Sequence, residues 1–239
     1  MLSNDIEALG PGETCEALLL TAKARVIATT TVWRRGADDF LLLTEPGLAD
    51  VLLAELRRFR FAAKLELELE THRSTLVLGG ERPPRAVVNA DYGVPAYELV
   101  DDDPPAGAEP IDEAALELLR ITARTPRMGR EIDDRVLPAE AGLDDRAISF
   151  TKGCYPGQEP VARLHYRGHA NRGLRVLEIE GDALPEYDAP LTVGGTAVGR
   201  VTSAVTTDGG TVVALGYVRR EVRDDADLLV DGVRRVRLV

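Results

Sequence analysis

The chain has 239 residues, of which 44% are hydrophobic and 29% charged, so it can bury a core and is expected to form one or two domains. Its longest apolar runs, such as residues 17–20 and 40–43, are far shorter than the roughly 20 residues of a membrane-spanning helix. The formal net charge of -11 argues against nonspecific attraction to nucleic acid or to an anionic membrane. We therefore expect neither a membrane protein nor direct nucleic-acid binding.

The N-terminus and the cysteines predict a cytoplasmic protein. Residues 1–6 lack the basic region and apolar stretch of a secretory signal. The two cysteines, Cys15 and Cys154, lie far apart without the spacing of a disulfide framework, so we expect two free thiols.

The first predicted elements are a β-hairpin and a helix. Apolar residues and threonines alternate over residues 25–32, and a second apolar run at 40–43 follows a turn at 36–39. Pro46 marks a helix start. After it, apolar residues recur every three or four positions, at Leu48, Val51, Leu52, Leu56 and Phe59. This spacing predicts a helix of about three turns.

Strands are predicted next. Leucine and glutamate alternate over residues 64–70, which places three leucines on one face of a strand and three glutamates on a solvated face. Further strand candidates are residues 75–78, 86–89 and 97–100, before an acidic, proline-rich surface loop at 101–107. Asp112 then predicts the N-cap of a helix that runs to Arg120.

The last third of the chain is typical of an all-β module. Turn signals rich in glycine and aspartate separate six short β-type runs, at residues 174–179, 191–193, 197–201, 212–218, 228–230 and 233–239. This pattern indicates a small antiparallel barrel or sandwich. The fold class is therefore α+β, with a body over residues 1–160 and a C-terminal β-barrel domain over residues 161–239.

The strongest chemical signal lies at residues 152–159, which read K-G-C-Y-P-G-Q-E. Two glycines and a proline predict a loop or tight turn, where a cysteine is poorly suited to fill a core. The positive charges of Lys152 and Arg163 are expected to favour the thiolate of Cys154, which attacks electrophiles or binds soft metals. The alternative is a buried cysteine that acts as a small hydrophobe, and we favour that interpretation for Cys15.

A basic island surrounds this loop. Residues 151–175 contain five lysines or arginines and a single acid, Glu159. The island predicts a site for a multiply charged anion such as a polyglutamate tail, a phosphate or an RNA backbone, and the alternative is an arginine-rich interface between domains. His165 and His169 also lie there, but residues 166–168 are expected to be extended, which separates the two imidazoles. No certain metal site follows.

Residues 150–172 read F-T-K-G-C-Y-P-G-Q-E-P-V-A-R-L-H-Y-R-G-H-A-N-R, which closely resembles the signature of the YgfZ group of folate-binding proteins. Weaker likenesses extend over most of the chain. Residues 2–6, L-S-N-D-I, resemble an early L-T-N-D-V element, and residues 22–26, A-K-A-R-V, resemble a K-G-R segment before a strand. Residues 120–129 resemble a third element.

The resemblance implies the fold of the glycine-cleavage aminomethyltransferase, with α+β domains around a tetrahydrofolate cleft and a C-terminal β-barrel. It further implies a tetrahydrofolate-dependent factor that assembles or repairs iron-sulphur clusters, with client enzymes such as radical enzymes that modify tRNA. Cys154 would take the place of the essential cysteine, as a nucleophile, redox thiol or transient cluster ligand, with Lys152 beside it. The implied folate-binding residues are Lys23, Arg25, Arg120, Tyr155, Gln158, Glu159 and Arg163.

The chain also departs from the family pattern. It begins at the L-S-N-D-I element, which suggests a shortened variant or a mis-assigned start. Thr122 and Arg124 replace the acid and the glycine of the related R-I-E-A-G-x-P pattern. Ala28 and Thr29 stand where the transferase has paired aspartates before a strand, so no carboxylate is expected there for proton transfer. Aminomethyl transfer is therefore disfavoured. The alternatives are a one-carbon transferase that uses Cys154, and an RNA-binding module.

Overall fold

The computed structural model describes residues 1–60 and 64–239. Its first layer is an antiparallel sheet of three strands in the order β1-β2-β3. These strands are β1 (Thr14–Leu20), β2 (Val26–Arg34) and β3 (Phe40–Leu43). The predicted hairpin is therefore confirmed. No helix within the described residues is long and apolar enough to cross a membrane.

Helix α1 (Ala49–Arg58) packs against β2 and confirms the helix predicted from the apolar spacing. Its start differs from the prediction, because Pro46 lies in a turn before the helix. In this turn the backbone N–H of Leu48 donates to the carbonyl of Glu45 at 3.2 Å, and Gly47 has φ +85°. Proline followed by glycine at positive φ is the signature of a type II turn, which ends β3 and delays the helix to Ala49.

A second antiparallel sheet has the order β4-β6-β5. Its strands are β4 (Ser74–Leu78), β5 (Val87–Asn89) and β6 (Ala96–Val100), as predicted. The strand predicted at residues 64–70 is wrong, because this segment joins no sheet and Leu65 and Leu69 are exposed. The alternation of leucine and glutamate defines the two faces of a strand but does not specify a neighbouring strand to pair with. None of the described strands pairs with residues 64–70.

Helix α2 (Glu113–Thr122) is capped as predicted, since the Asp112 carboxylate accepts hydrogen bonds from the first turn. At its other end, Arg124 has φ +59°. The N–H of Arg124 donates to the carbonyl of Ile121, and the N–H of Thr125 donates to the carbonyl of Arg120. These two bonds form a Schellman motif, whose left-handed position favours glycine. Arg124 thus occupies a glycine-type position.

A 3-10 turn (Pro138–Glu140) and two helices, α3 (Asp144–Ala147) and α4 (Gln158–Arg167), connect the body to the barrel. The extended conformation expected for residues 166–168 is wrong for the first two, because α4 continues through Arg167; only Gly168 is extended. The domain boundary at residue 160 stays a prediction, and it falls within α4.

The C-terminal strands close into a barrel in the order β10-β7-β12-β11-β8-β9, which confirms the barrel over the sandwich. They are β7 (Arg172–Ile179), β8 (Pro190–Val193), β9 (Thr196–Thr206), β10 (Val212–Arg219), β11 (Leu228–Val230) and β12 (Arg234–Leu238). All of their pairings are antiparallel. Leu177, Leu191 and Val212 fill the barrel interior and are fully buried.

A buried polar network joins the body to the barrel. Glu131 is 0% exposed, and its carboxylate accepts hydrogen bonds from the Arg120 guanidinium at 3.2 Å and the Ser203 hydroxyl at 2.7 Å. The hydroxyl of Tyr217, on β10, donates to the backbone carbonyl of Glu131 at 3.1 Å. Arg120 lies on α2 and Ser203 on β9, so the network fixes the helix against the barrel.

Candidate functional site

The principal cavity is an open cleft of about 1570 Å³ in the α+β body. Its walls are built from the first sheet, α1, α2, the edge of the second sheet and residues 64–70. Thr29, Thr30 and Thr31 of β2 line it together with apolar residues such as Leu42 and Leu52, and the buried Thr30 hydroxyl already donates to the carbonyl of Leu43. The walls thus combine apolar surface with many polar and charged groups, which can both bury and orient a small ligand.

The charges of the cleft are mostly neutralised within the fold. Arg146 pairs with Glu16 and Asp91, which face it from two sides. The other arginines that line the cleft also have acidic partners, and they are Arg35, Arg120 and Arg127. Acidic side chains outnumber basic ones on the walls. The cleft therefore offers little unpaired positive charge to a polyanion.

Arg120 lines the cleft, but its guanidinium is already hydrogen-bonded to neighbouring residues. It is 3% exposed and donates to Glu117, Glu131 and the carbonyl of Thr125. Burial lowers the pKa of Arg120, but the ion pairs with the two glutamates outweigh it and raise the pKa overall. A ligand carboxylate must displace one of these partners to reach the guanidinium.

Glu45 is a cleft residue that the sequence analysis missed. It follows β3, lines the cleft, and its Oε1 accepts a hydrogen bond from the backbone N–H of Met128 at 3.0 Å. Burial raises the pKa of Glu45, and the Met128 hydrogen bond only partly opposes this. The signal available in the sequence was an acid at the end of an inward-facing strand, held by the Pro46-Gly47 turn.

Cys154 is exposed on the loop that leads into α4, and both cysteines are free as predicted. Neither Cys154 nor Lys152 is among the described residues that line the cleft. Cys15 differs from Cys154: it is half-buried on β1, where burial raises its pKa to about 11. Cys154 is thus the more accessible of the two thiols.

The Cys154 loop packs tightly on the β1–β2 turn. A Cβ on Gly157 would lie 2.5 Å from the carbonyl oxygen of Thr21 and 3.1 Å from the Cα of Ala24. That turn carries Lys23, which is exposed, and Arg25, which is half-buried. The structure thus brings the two implied folate residues to the Cys154 loop and not to the cleft. Ala24 has φ +59°, where the K-G-R pattern has glycine.

Lys152 holds the N-terminal segment. Its Nζ donates to the backbone carbonyls of Leu2 and Asn4, each at 2.9 Å. Ser3 extends the same junction, since its hydroxyl donates to Ala147 at 2.6 Å and accepts from the N–H of Leu18 at 2.8 Å. The ammonium group is therefore directed toward carbonyl oxygens, which gives Lys152 a structural task that the sequence did not indicate.

Three other implied site residues shape the entry to α4. The N–H of Tyr155 donates to the Oε1 of Gln158 at 3.2 Å, and the buried ring of Tyr155 joins the central core. Burial raises the pKa of its hydroxyl. Glu159 is exposed in the first turn of α4, where its negative charge suits the helix dipole. These side chains order the loop outside the cleft.

Most basic residues of the island at residues 151–175 have partners within the fold. Arg172 pairs with Glu140, and Arg175 pairs with Asp224. Arg163 and Arg167 are exposed on α4 and form no ion pair with any described residue. Next to them, the His165 ring stacks on Phe150 at 3.9 Å, with Tyr166 against its edge. Among residues 1–60 and 64–239, no three His, Cys, Asp or Glu side chains form a metal-binding group.

Ala28 and Thr29 lie inside β2, not before a strand as expected, because the strand begins at Val26. Ala28 is 0% exposed in the core, and Thr29 faces the cleft. Neither supplies a carboxylate at this point of the wall. The carboxylates of the cleft come from other elements, Glu45 among them.

No protein-family model matches the sequence. The chain is similar to the tRNA-modifying protein YgfZ of Escherichia coli, at 26% identity over 252 residues that cover 87% of this chain and 77% of the relative. An aminomethyltransferase of Rubrobacter xylanophilus is 24% identical over 275 residues, covering 96% and 72%. The solved structure of glycine cleavage system aminomethyltransferase T from Bartonella henselae superposes with a TM-score of 0.76 at 19% identity, covering 100% and 77%. The expected fold is thereby confirmed.

Proposed function

We propose a function for this chain on the basis that it is a YgfZ-type protein with the fold of the glycine-cleavage aminomethyltransferase. It binds tetrahydrofolate in the cleft of the body and assists the assembly or repair of iron-sulphur clusters in the cytoplasm. Its clients include enzymes that modify tRNA. The observation that carries the proposal is the pairing of a large cleft with a separate, exposed Cys154 on an ordered loop.

The residues of the cleft fit a reduced folate. Its volume of about 1570 Å³ accommodates a ligand of that size, and its walls combine threonines of β2 with apolar residues of β3. The hydroxyl of Thr125 is buried at the cleft wall and has no hydrogen-bond partner among the described residues. For the glutamyl end, Arg127 and Lys64 are better placed than Arg120, since Arg127 is half-exposed and has one acidic partner, while Lys64 is exposed.

Cys154 supplies the thiol that meets the client. An exposed thiol on a loop reaches a metal centre or an electrophile of another protein, whereas a cleft thiol would be restricted to the folate. Arg163 and Arg167 lie on the helix that follows, where their positive charges can meet acidic groups of the client. Gly157 and the β1–β2 turn hold the loop in place.

A folate-dependent transferase is the second candidate. The half-buried carboxylate of Glu45 lines the cleft, and burial raises its pKa, which is the direction that favours a carboxyl group in proton transfer. This candidate requires that the purified protein convert tetrahydrofolate in the presence of an amine donor. Tetrahydrofolate that is recovered unchanged after prolonged incubation argues against it and for the accessory function.

The decisive experiment tests the role of the Cys154 thiol separately from folate binding in the cleft. Cys154→Ser is introduced into cells that lack their YgfZ-type protein, and the activity of an iron-sulphur enzyme is measured beside folate affinity in vitro. We expect Cys154→Ser to keep its tetrahydrofolate affinity and to lose rescue, while the matched Cys15→Ser keeps both. Full rescue by Cys154→Ser contradicts the proposed role of this thiol.

A further inference from the structure

The carboxylates on the cleft walls differ in how many hydrogen bonds and ion pairs they form with other residues of the protein. Most of the half-buried ones have a partner side chain. Glu16 and Asp91 face Arg146, Glu117 faces Arg120 and Arg127, and Glu98 accepts from the Ser74 hydroxyl and the Asn89 amide. These acids are occupied by the fold itself and have little capacity left for a ligand.

Glu45 is the exception on this wall. No lysine, arginine or histidine of the described residues lies within ion-pair distance of its carboxylate, and its one side-chain hydrogen bond comes from the N–H of Met128 at 3.0 Å. A carboxylate removed from water costs free energy unless hydrogen-bond donors replace the lost water. Burial accordingly raises its pKa. One carboxylate oxygen and the second lone pair of the other remain for donors from a ligand.

The fold also fixes where this carboxylate lies. Glu45 lies two residues after the end of β3, and the Pro46-Gly47 turn after it, with Gly47 at φ +85°, fixes its backbone. The bond to Met128 ties the side chain to the segment after α2. The buried, unpaired hydroxyl of Thr125 lies in that same segment, so a second polar group at this corner lacks a partner among the described residues.

We propose that Glu45 binds the N–H donor edge of the pteridine ring, which places the ring at the corner between β3 and residues 125–128. Two adjacent donors, the exocyclic amino group and the neighbouring ring N–H, match the two oxygens of a carboxylate in a bidentate contact. The surplus of acids on the walls favours such a donor edge over a phosphate or carboxylate group at this position. This inference rests on the proposed folate function and assigns the residue that orients the ligand.

The test is a chemical double-mutant cycle by anaerobic calorimetry, with tetrahydrofolate and its analogue that lacks the exocyclic amino group as probes. Wild type is compared with Glu45→Gln, which keeps the shape of the side chain, and with Asp38→Asn, an exposed acid on the same cleft. We expect Glu45→Gln to weaken tetrahydrofolate binding about tenfold or more and Asp38→Asn to leave it unchanged. Removal of the amino group should weaken binding to wild type and have a much smaller effect on Glu45→Gln.

The outcomes separate the two proposals. Equal tetrahydrofolate affinity of wild type and Glu45→Gln, at equal thermal stability, overturns the assignment of Glu45 and leaves the folate function standing. Equal losses in Glu45→Gln and Asp38→Asn overturn it too, because they indicate a general charge effect. If wild type binds no tetrahydrofolate, the proposed function fails and the assignment fails with it.

Discussion

Replacement of Gly157 by alanine should destabilise the protein through the loop that carries Cys154. Gly157 has φ +82°, and an added Cβ would lie 2.5 Å from the Thr21 carbonyl oxygen and 3.1 Å from the backbone of Ala24. The left-handed conformation costs an L-residue about 1–2 kcal/mol, and overpacking against backbone costs about 1–3 kcal/mol more. We therefore expect Gly157→Ala to lower the free energy of unfolding by about 2–5 kcal/mol.

Urea and thermal unfolding measure this effect. For a chain of this size the expected loss corresponds to a fall in Tm of about 5–15 °C. Gly153→Ala is the matched control in the same loop, because Gly153 has no atom within 4 Å of an added Cβ and its φ lies outside the left-handed region. The control should stay within about 0.5 kcal/mol of wild type. Equal stability of the two variants would refute the close packing of this loop on the β1–β2 turn.

Three further changes test other parts of the fold. Arg124→Gly should raise the free energy of unfolding in urea by about 0.5–1 kcal/mol, because Arg124 has φ +59°. The control Arg124→Lys should leave the free energy of unfolding unchanged. A loss of stability in the glycine variant contradicts the Schellman motif. Glu131→Gln should cost about 2–4 kcal/mol, since it removes the fully buried one of the two carboxylates that pair with Arg120, and a neutral result excludes the network as a stabilising junction. Hydrogen bonds to Asp101 and Glu70 raise the pKa of His72, so the contribution of His72 to stability should be fully present below about pH 6.5 and be lost as the pH rises through the raised pKa. In His72→Asn this dependence should disappear, and an unchanged pH profile of the variant argues against the contact.

Local patterns predicted most elements because they depend on neighbours in sequence. The alternation in β2, the short apolar run of β3, the β-type runs between the turns of the barrel, and the cap of Asp112 on α2 are of this kind. The alternation at residues 64–70 failed because a strand also needs a partner, and sequence periodicity contains no information about one. The start of α1 was misplaced for a related reason, since Pro46 suits both a first helical turn and a type II turn.

The site was harder to predict because charged side chains pair with residues that are distant in the sequence. The basic island from residue 151 to residue 175 predicted an anion site, yet Arg172 and Arg175 pair with distant acids, and Lys152 binds carbonyls of the N-terminal segment. The cysteine motif did place Cys154 on an exposed loop. Glu45 was missed because its position between a strand and the Pro46-Gly47 turn does not by itself show that the carboxylate lies half-buried on a cleft wall.

Hydrogen exchange with and without tetrahydrofolate tests the central claim most directly, because it locates the ligand relative to the thiol. We expect slower exchange of backbone amides at residues 41–45 and 125–128, which border the cleft, and unchanged exchange at residues 151–157. Protection confined to residues 151–167 would place the folate at Cys154 and contradict the separation of cleft and thiol.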